Sequence, residues 1–138
     1  MSARLTSLIL CDFAQVREGL LFVQSGGLTR LLAPAFPAKF PCRLACLVEL
    51  PAGEASQAHA MAIKVKAVET ASVLATVNVA LHEAGKTAGL APGESRIVPV
   101  VVPLDSVVFP APGQYDLQVD VDEQLAGDLS FRVGERPR

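Results

Sequence analysis

Between Gln114 and Val133 apolar and polar residues alternate almost without error. Tyr115, Leu117, Val119 and Val121 interleave with Gln114, Asp116, Gln118 and Asp120. After Asp122-Glu123-Gln124, the residues Leu125, Gly127, Leu129, Phe131 and Val133 interleave with Ala126, Asp128, Ser130 and Arg132. Successive side chains of a strand point to opposite faces, so period-two alternation predicts two strands, each with one face on a core and one in water. With residues 122–124 as the loop, Val121 faces Leu125, Val119 faces Gly127, Leu117 faces Leu129 and Tyr115 faces Phe131. Every apolar pair then lies on one side. A slip of one residue would set a polar group against each apolar one, so the register is strongly specified. Three-residue hairpin loops prefer a glycine at the left-handed position, and none is present. A five-residue loop of the same parity is the alternative.

The rest of the chain reads as short strands separated by turn signals. Leu5 to Phe13 is the first, and Arg17-Glu18-Gly19 turns it into Leu20 to Gln24, which Ser25-Gly26-Gly27 ends. Residues 33 to 41 hold Pro34, Pro37 and Pro41, too many prolines for a helix, and are expected to be an extended connection. Phe40 to Leu50, Ala58 to Val68 and Val73 to Leu81 follow as strands. His82 to Gly93 is turn material. The alanines between Ser56 and Leu81 would suit a helix, but the valines, isoleucine and threonines there recur with period two and fit a pleated surface better.

Arg96 to Pro103 carries a topological clue. Pro99 and Pro103 are four residues apart, so their missing N–H groups fall on the same side of a strand, and that side cannot form a regular ladder. Val98, Val100 and Val102 can still donate on the other. Proline in a sheet is confined to edges and bulges, which places this segment on a sheet edge and blunts that edge against stray pairing.

At 138 residues the chain is expected to be a single domain, residues 1–138, long enough to bury a proper core. Its formal net charge of −2 offers no electrostatic case for nucleic acid or an anionic membrane. Six acids and no base lie between Ile97 and Phe131, as a solvated strand face would have. Arg4 followed by Leu5 to Leu10 and Cys11 has the outline of a lipoprotein signal. The apolar run is too short, however, and Leu10 stands where a small residue is required. No stretch approaches the roughly 18 apolar residues of a membrane span. The expected compartment is the cytoplasm.

Three cysteines argue against a disulfide framework. Cys42 and Cys46 share a strand face but sit about 13 Å apart at the usual rise, beyond the roughly 7 Å limit on Cα separation for a bridge. Cys42, Leu44, Cys46 and Val48 therefore read as a core face on which thiols act as small apolar groups.

Few side chains suggest chemistry. His59 and His82 fall at strand ends where antiparallel neighbours could meet, and Glu83 could join them as metal ligands. Two histidines without a third ligand at diagnostic spacing are more simply strand-end residues. Asp120, Asp122 and Glu123 crowd a hairpin tip without the ligand number or the loop glycine of a calcium site. Ser25-Gly26-Gly27 lacks the lysine and following helix of a phosphate loop, and no Ser-His-Asp order or HExxH is present. Asp12, inside the apolar run from Leu8 to Val16, is expected to cap the turn that ends the first strand. No catalytic, cofactor-binding or metal-binding residue is assigned, and no cofactor is expected.

Seven or eight short strands and no convincing helix predict an all-β fold, a sandwich or small barrel. Pro112-Gly113-Gln114-Tyr115 resembles the tyrosine corner of immunoglobulin-like and fibronectin-like sandwiches. The expected architecture is accordingly an antiparallel immunoglobulin-like β-sandwich. Leu10-Cys11-Asp12-Phe13-Ala14, Glu18-Gly19-Leu20-Leu21-Phe22-Val23, Gly26-Gly27 and the closing hairpin together resemble a family of small bacterial domains of unknown function. That resemblance implies a bacterial, cytoplasmic, sandwich-type protein and carries over no catalytic residue. The expected role is a non-catalytic binding or assembly module, self-associating as a homo-oligomer or bound to a protein partner, since excess apolar surface marks contact sites. The alternatives are a carrier of a small apolar ligand between the sheets and a metal-dependent enzyme using His59 and His82.

Overall fold

The computed structural model describes residues 3–53, 58–81 and 90–137. Among these residues nine strands, against the seven or eight expected, run in order as β1 (Arg4–Arg17), β2 (Leu20–Gly26), β3 (Arg30–Ala33), β4 (Arg43–Leu50), β5 (His59–Ala67), β6 (Val73–Leu81), β7 (Arg96–Pro103), β8 (Gly113–Val121) and β9 (Gln124–Glu135). They form a four-stranded sheet of order β2-β1-β4-β7 and a five-stranded sheet of order β3-β9-β8-β5-β6. The fold is all-β, as expected, but it differs from the expected antiparallel sandwich in two ways. Both sheets are strongly curled, each a half-barrel, so the molecule is not a clear immunoglobulin sandwich. The five-stranded sheet is also mixed, because β3 pairs parallel with β9 from Arg30 opposite Arg132 to Ala33 opposite Glu135.

Alternation decides what each strand buries. In β5, His59, Met61, Ile63, Val65 and Ala67 are buried, while Lys64 and Lys66 on the opposite face remain partly exposed. In β8, Tyr115, Leu117, Val119 and Val121 all face the core. Each such side chain removed from water contributes about 1.5–3 kcal/mol. Phe109, on the segment between β7 and β8, lies edge-on to Phe40, Tyr115 and Phe131, with ring centroids 5.5, 5.0 and 5.9 Å away. This aromatic group fills the interior between the sheets at one end of the core.

The central strand β4 is covered on both sides. Leu44, Cys46 and Val48 join the main core, whereas Ala45 points the other way into a second, smaller cluster with Cys11 and Ala14. All three thiols are free and buried. Burial pushes the Cys42 thiol up to about 11 and the Cys46 thiol up to about 12. Both belong to the core, as their spacing predicts.

The closing hairpin follows the expected register through Val119 opposite Gly127 and then departs from it. A bulge at Ala126 makes Asp120 pair with Leu125 and Val121 with Gln124. The loop is therefore two residues, Asp122 and Glu123, both in the left-handed region at φ 51° and 67°. Leu125 is turned out of the core and left 61% exposed. Tyr115 Oη donates to the Ala111 carbonyl at 2.5 Å, so the tyrosine-corner hydrogen bond forms even though the surrounding topology is different. Strand β7 lies at the end of its sheet, and Pro99 and Pro103 stand on that edge as predicted.

Candidate functional site

Two places on the molecule carry features that the core does not require. The first is the tip of the β8–β9 hairpin. A two-residue turn with both residues left-handed normally uses Asn-Gly or Asp-Gly, because the second position disfavours any side chain. Here Glu123 occupies it. The turn is held from outside. Asp122 Oδ2 accepts from His59 Nδ1 at 2.6 Å, and its Oδ1 accepts from the Ala60 amide at 3.0 Å. The Asp122 amide in turn donates to the Ala60 carbonyl at 2.8 Å.

His59 is the one buried polar residue among those described, at 6% exposure. Burial is the largest influence on the Asp122 carboxyl and opposes its ionisation. The hydrogen bonds from His59 and from the Ala60 amide, together with the histidine's charge, outweigh it and hold the carboxyl below its ordinary value. Asp122, one of the acids that crowd the hairpin tip in the sequence, is thus the partner of His59.

Beside this tip, on the outer face of β5, β6 and β8, lies a groove of about 580 Å³. Ala60, Ala62 and Ala80 form its floor, and Lys64, Asp120 and Glu123 stand at its rim. Lys64 Nζ is 3.8 Å from Asp120 Oδ2. No group of three or more histidine, cysteine, aspartate or glutamate side chains suited to a metal is found among the described residues. His82 and Glu83 lie outside the described residues.

The second place is the β1–β2 arm. Strand β1 pairs with β4 only from Arg4 to Cys11 and with β2 from Cys11 to Arg17. Beyond Cys11 the ribbon therefore runs past the edge of β4. Asp12, expected to cap a turn, sits instead within the strand. It lines a small cavity of about 190 Å³ with Cys42, Arg43 and Asp105. The turn comes six residues later, at Glu18-Gly19, with φ 53° and 76°. The arm exposes Phe13, Val16, Leu20, Phe22 and Val23, with Leu20 at 64% and Phe22 at 49%. The guanidinium of Arg43 lies 4.7 Å above the Phe13 ring.

Leu20-Leu21-Phe22-Val23 was readable in the sequence, but as a strand rather than a surface. An unbroken apolar run suits a strand covered on both faces, whereas here three of the four residues are exposed and Leu21 is half-buried. That discrepancy could have been noticed only with the strand order known.

A model of the family of unknown function DUF6941 matches residues 6–134. The chain belongs to the DUF6941 family. That membership places the resemblance read from Leu10 to Ala14, Glu18 to Val23 and the closing hairpin within one family, whose description assigns no activity. No curated protein matches the sequence. Among solved structures, the chain is similar to the Pseudomonas fluorescens alkylpurine DNA glycosylase AlkC bound to DNA containing an abasic site analog, at 12% identity and a TM-score of 0.44. The match covers 96% of this chain and 30% of that one. Likeness at that level assigns neither a fold nor an activity to this DUF6941 protein.

Proposed function

We propose that this protein is a non-catalytic binding or assembly module of the cytoplasm and that its contact surface is the β1–β2 arm. The observation that carries the reading is the gathering of Phe13, Val16, Leu20, Phe22 and Val23 as exposed residues on one ribbon. Scattered apolar residues on a surface are ordinary, but a cluster marks a contact site, and Phe13, Leu20 and Phe22 share one face of the ribbon, with Val16 and Val23 on the other. Among the described residues the distal half of the arm is hydrogen bonded only within itself. Ala14 and Leu21 pack with Cys11, Ala45 and Val101, but that packing does not require Leu20 and Phe22, on the opposite face of the ribbon, to be apolar.

The test is the mass of the full chain by light scattering, alone and as the double variant Leu20→Ser and Phe22→Ser. Association that raises the mass above 14.5 kDa and is abolished by the double variant supports the reading. A wild-type chain that stays monomeric at high concentration removes self-association from it.

A second reading, a carrier of a small apolar ligand, is favoured by the alanine floor of the groove on β5, β6 and β8. The ligand would then lie on the outer face and not between the sheets, where Phe40, Phe109, Tyr115 and Phe131 pack. Native mass spectrometry of the purified protein tests this directly: a retained small molecule, lost in Ala62→Phe, supports it. An unliganded mass under mild ionisation counts against it.

A further inference from the structure

Four strands lie at sheet edges: β2 and β7 in one sheet, β3 and β6 in the other. Natural sheets guard their edges with prolines, charges or short strands. Strand β7 has Pro99 and Pro103, and β3 is four residues long and begins with Arg30. Strand β6 has no such guard, but it has only one large apolar side chain, Val73, strongly exposed. Strand β2 is unguarded and apolar at once. From Leu20 to Thr29 there is no charge and no proline.

The geometry of the arm fixes which groups are free. The pair flanking a two-residue turn exchanges both its hydrogen bonds, and such pairs recur at every second residue. Arg17 pairs with Leu20, Gln15 with Phe22 and Phe13 with Gln24. Leu20, Phe22 and Gln24 therefore bond back to β1, and the N–H and C=O of Leu21 and Val23 point away from the sheet.

Resting on the assembly reading above, we infer that β2 pairs antiparallel with β2 of a second copy about a two-fold axis at Phe22, joining two four-stranded sheets into one of eight strands. This register sets Phe22 opposite Phe22, Leu21 opposite Val23 and Leu20 opposite Gln24. The bonds come from the groups of Leu21 and Val23, which have no strand beside them among the described residues. Phe22 becomes a non-hydrogen-bonded pair, where side chains approach most closely and aromatic pairs contribute most.

The charges argue for the same occupant. Arg17 and Glu18 stand clear of the seam, Arg17 on β1 opposite Leu20 and Glu18 in the turn. A partner edge carrying charge would have to bury it against this neutral strand, but a second copy brings an equally neutral one. The seam is apolar as well. The large apolar side chains of β2 that line it are Leu20, Phe22 and Val23, at 64%, 49% and 38% exposure, with Leu20 and Phe22 on one face of the strand and Val23 on the other.

The experiment uses two single variants of the full chain and a control. In Phe22→Cys, the two new thiols face each other about 4.5 Å apart between Cα atoms, close enough to bridge under mild oxidation. The native thiols are buried and do not compete. Leu125→Cys, on the exposed tip of the other hairpin, is the control. In Val23→Pro the proline removes an N–H that serves only the second copy and leaves every bond to β1, as Pro99 and Pro103 do on β7. We expect a covalent dimer from Phe22→Cys, none from Leu125→Cys, and a folded monomer from Val23→Pro.

A dimer by mass that neither bridges at Phe22→Cys nor dissociates in Val23→Pro overturns the edge pairing and leaves the assembly reading standing. A wild-type monomer at high concentration overturns the edge pairing and removes self-association from the reading above. If Val23→Pro does not fold, the Phe22→Cys bridge alone decides.

Discussion

His59 Nδ1 lies 2.6 Å from Asp122 Oδ2, which joins the first residue of β5 to the turn between β8 and β9. The contact spans 63 residues of sequence and holds a turn that its own residues do not favour. A left-handed conformation costs a non-glycine residue roughly 1–2 kcal/mol, and both Asp122 and Glu123 adopt it. The carboxylate of Asp122 offsets this by accepting from His59 and from the Ala60 amide.

Removing that carboxylate should therefore destabilise the fold by more than a surface substitution does. Asp122→Ala takes the partner from a buried histidine and an acceptor from the Ala60 amide. We expect a loss of about 1–3 kcal/mol in urea unfolding. Glu123→Gly acts in the opposite direction, relieving the left-handed position, and should gain about 1 kcal/mol. Equal stability of the two variants would mean that the turn is not under tension.

The same pair predicts the acid limb of stability. The Asp122 carboxyl titrates below its ordinary value in the folded chain and near about 4 when unfolded. Unfolding therefore takes up a proton between these two values. The stabilisation is complete above the unfolded pKa and is lost as pH falls through the folded one. Because Asp122 is half exposed, solvent screening keeps the effect modest. Asp122→Asn should flatten the fall of stability below about pH 4 relative to the wild-type chain. An unchanged acid limb would show that other carboxyls dominate it.

Tyr115→Phe isolates the tyrosine-corner hydrogen bond. The ring remains edge-on to Phe109 at 5.0 Å, and only the bond to the Ala111 carbonyl is lost. A cost of about 1 kcal/mol is expected from chemical unfolding, with far-UV circular dichroism unchanged. No cost would mean that water replaces the phenol at Ala111.

The thiols should be silent until the fold opens. Cys11, Cys42 and Cys46 are buried, and burial raises all three above the ordinary thiol value. Thiolate is the reactive form, so aromatic disulfide reagents should label none of them in the native chain at neutral pH and three after unfolding. Rapid labelling of a native thiol would contradict the packing of β4.

How much of this was legible beforehand depended on the range of the interaction. Alternation located Val73–Leu81 and Arg96–Pro103 to the residue, and Pro99 with Pro103 placed the latter on an edge, because these are properties of single strands. Strand β3 was missed. Arg30 to Ala33 is too short to alternate visibly, and it exists through its parallel partner a hundred residues later. The bulge at Ala126 was invisible for a related reason: a three-residue loop and a two-residue turn with a bulge give the same register up to Val119. Asp12 was read as a turn residue because the first strand was ended too early, at Phe13 and not at Arg17. His59 was flagged, but as a possible mate of His82, and its bond to Asp122 depends on β5 lying next to β8. The arm was hidden by its composition, since an apolar run reads as core wherever strand order is unknown.

The most direct measurement of the arm's role is amide hydrogen exchange of the wild-type chain at rising concentration. Leu21 and Val23 should become protected as concentration increases, while Val98, Val100 and Val102, already bonded within β4–β7, exchange at a constant rate. Free exchange of Leu21 and Val23 at every concentration would contradict the assignment of β2 as the contact edge.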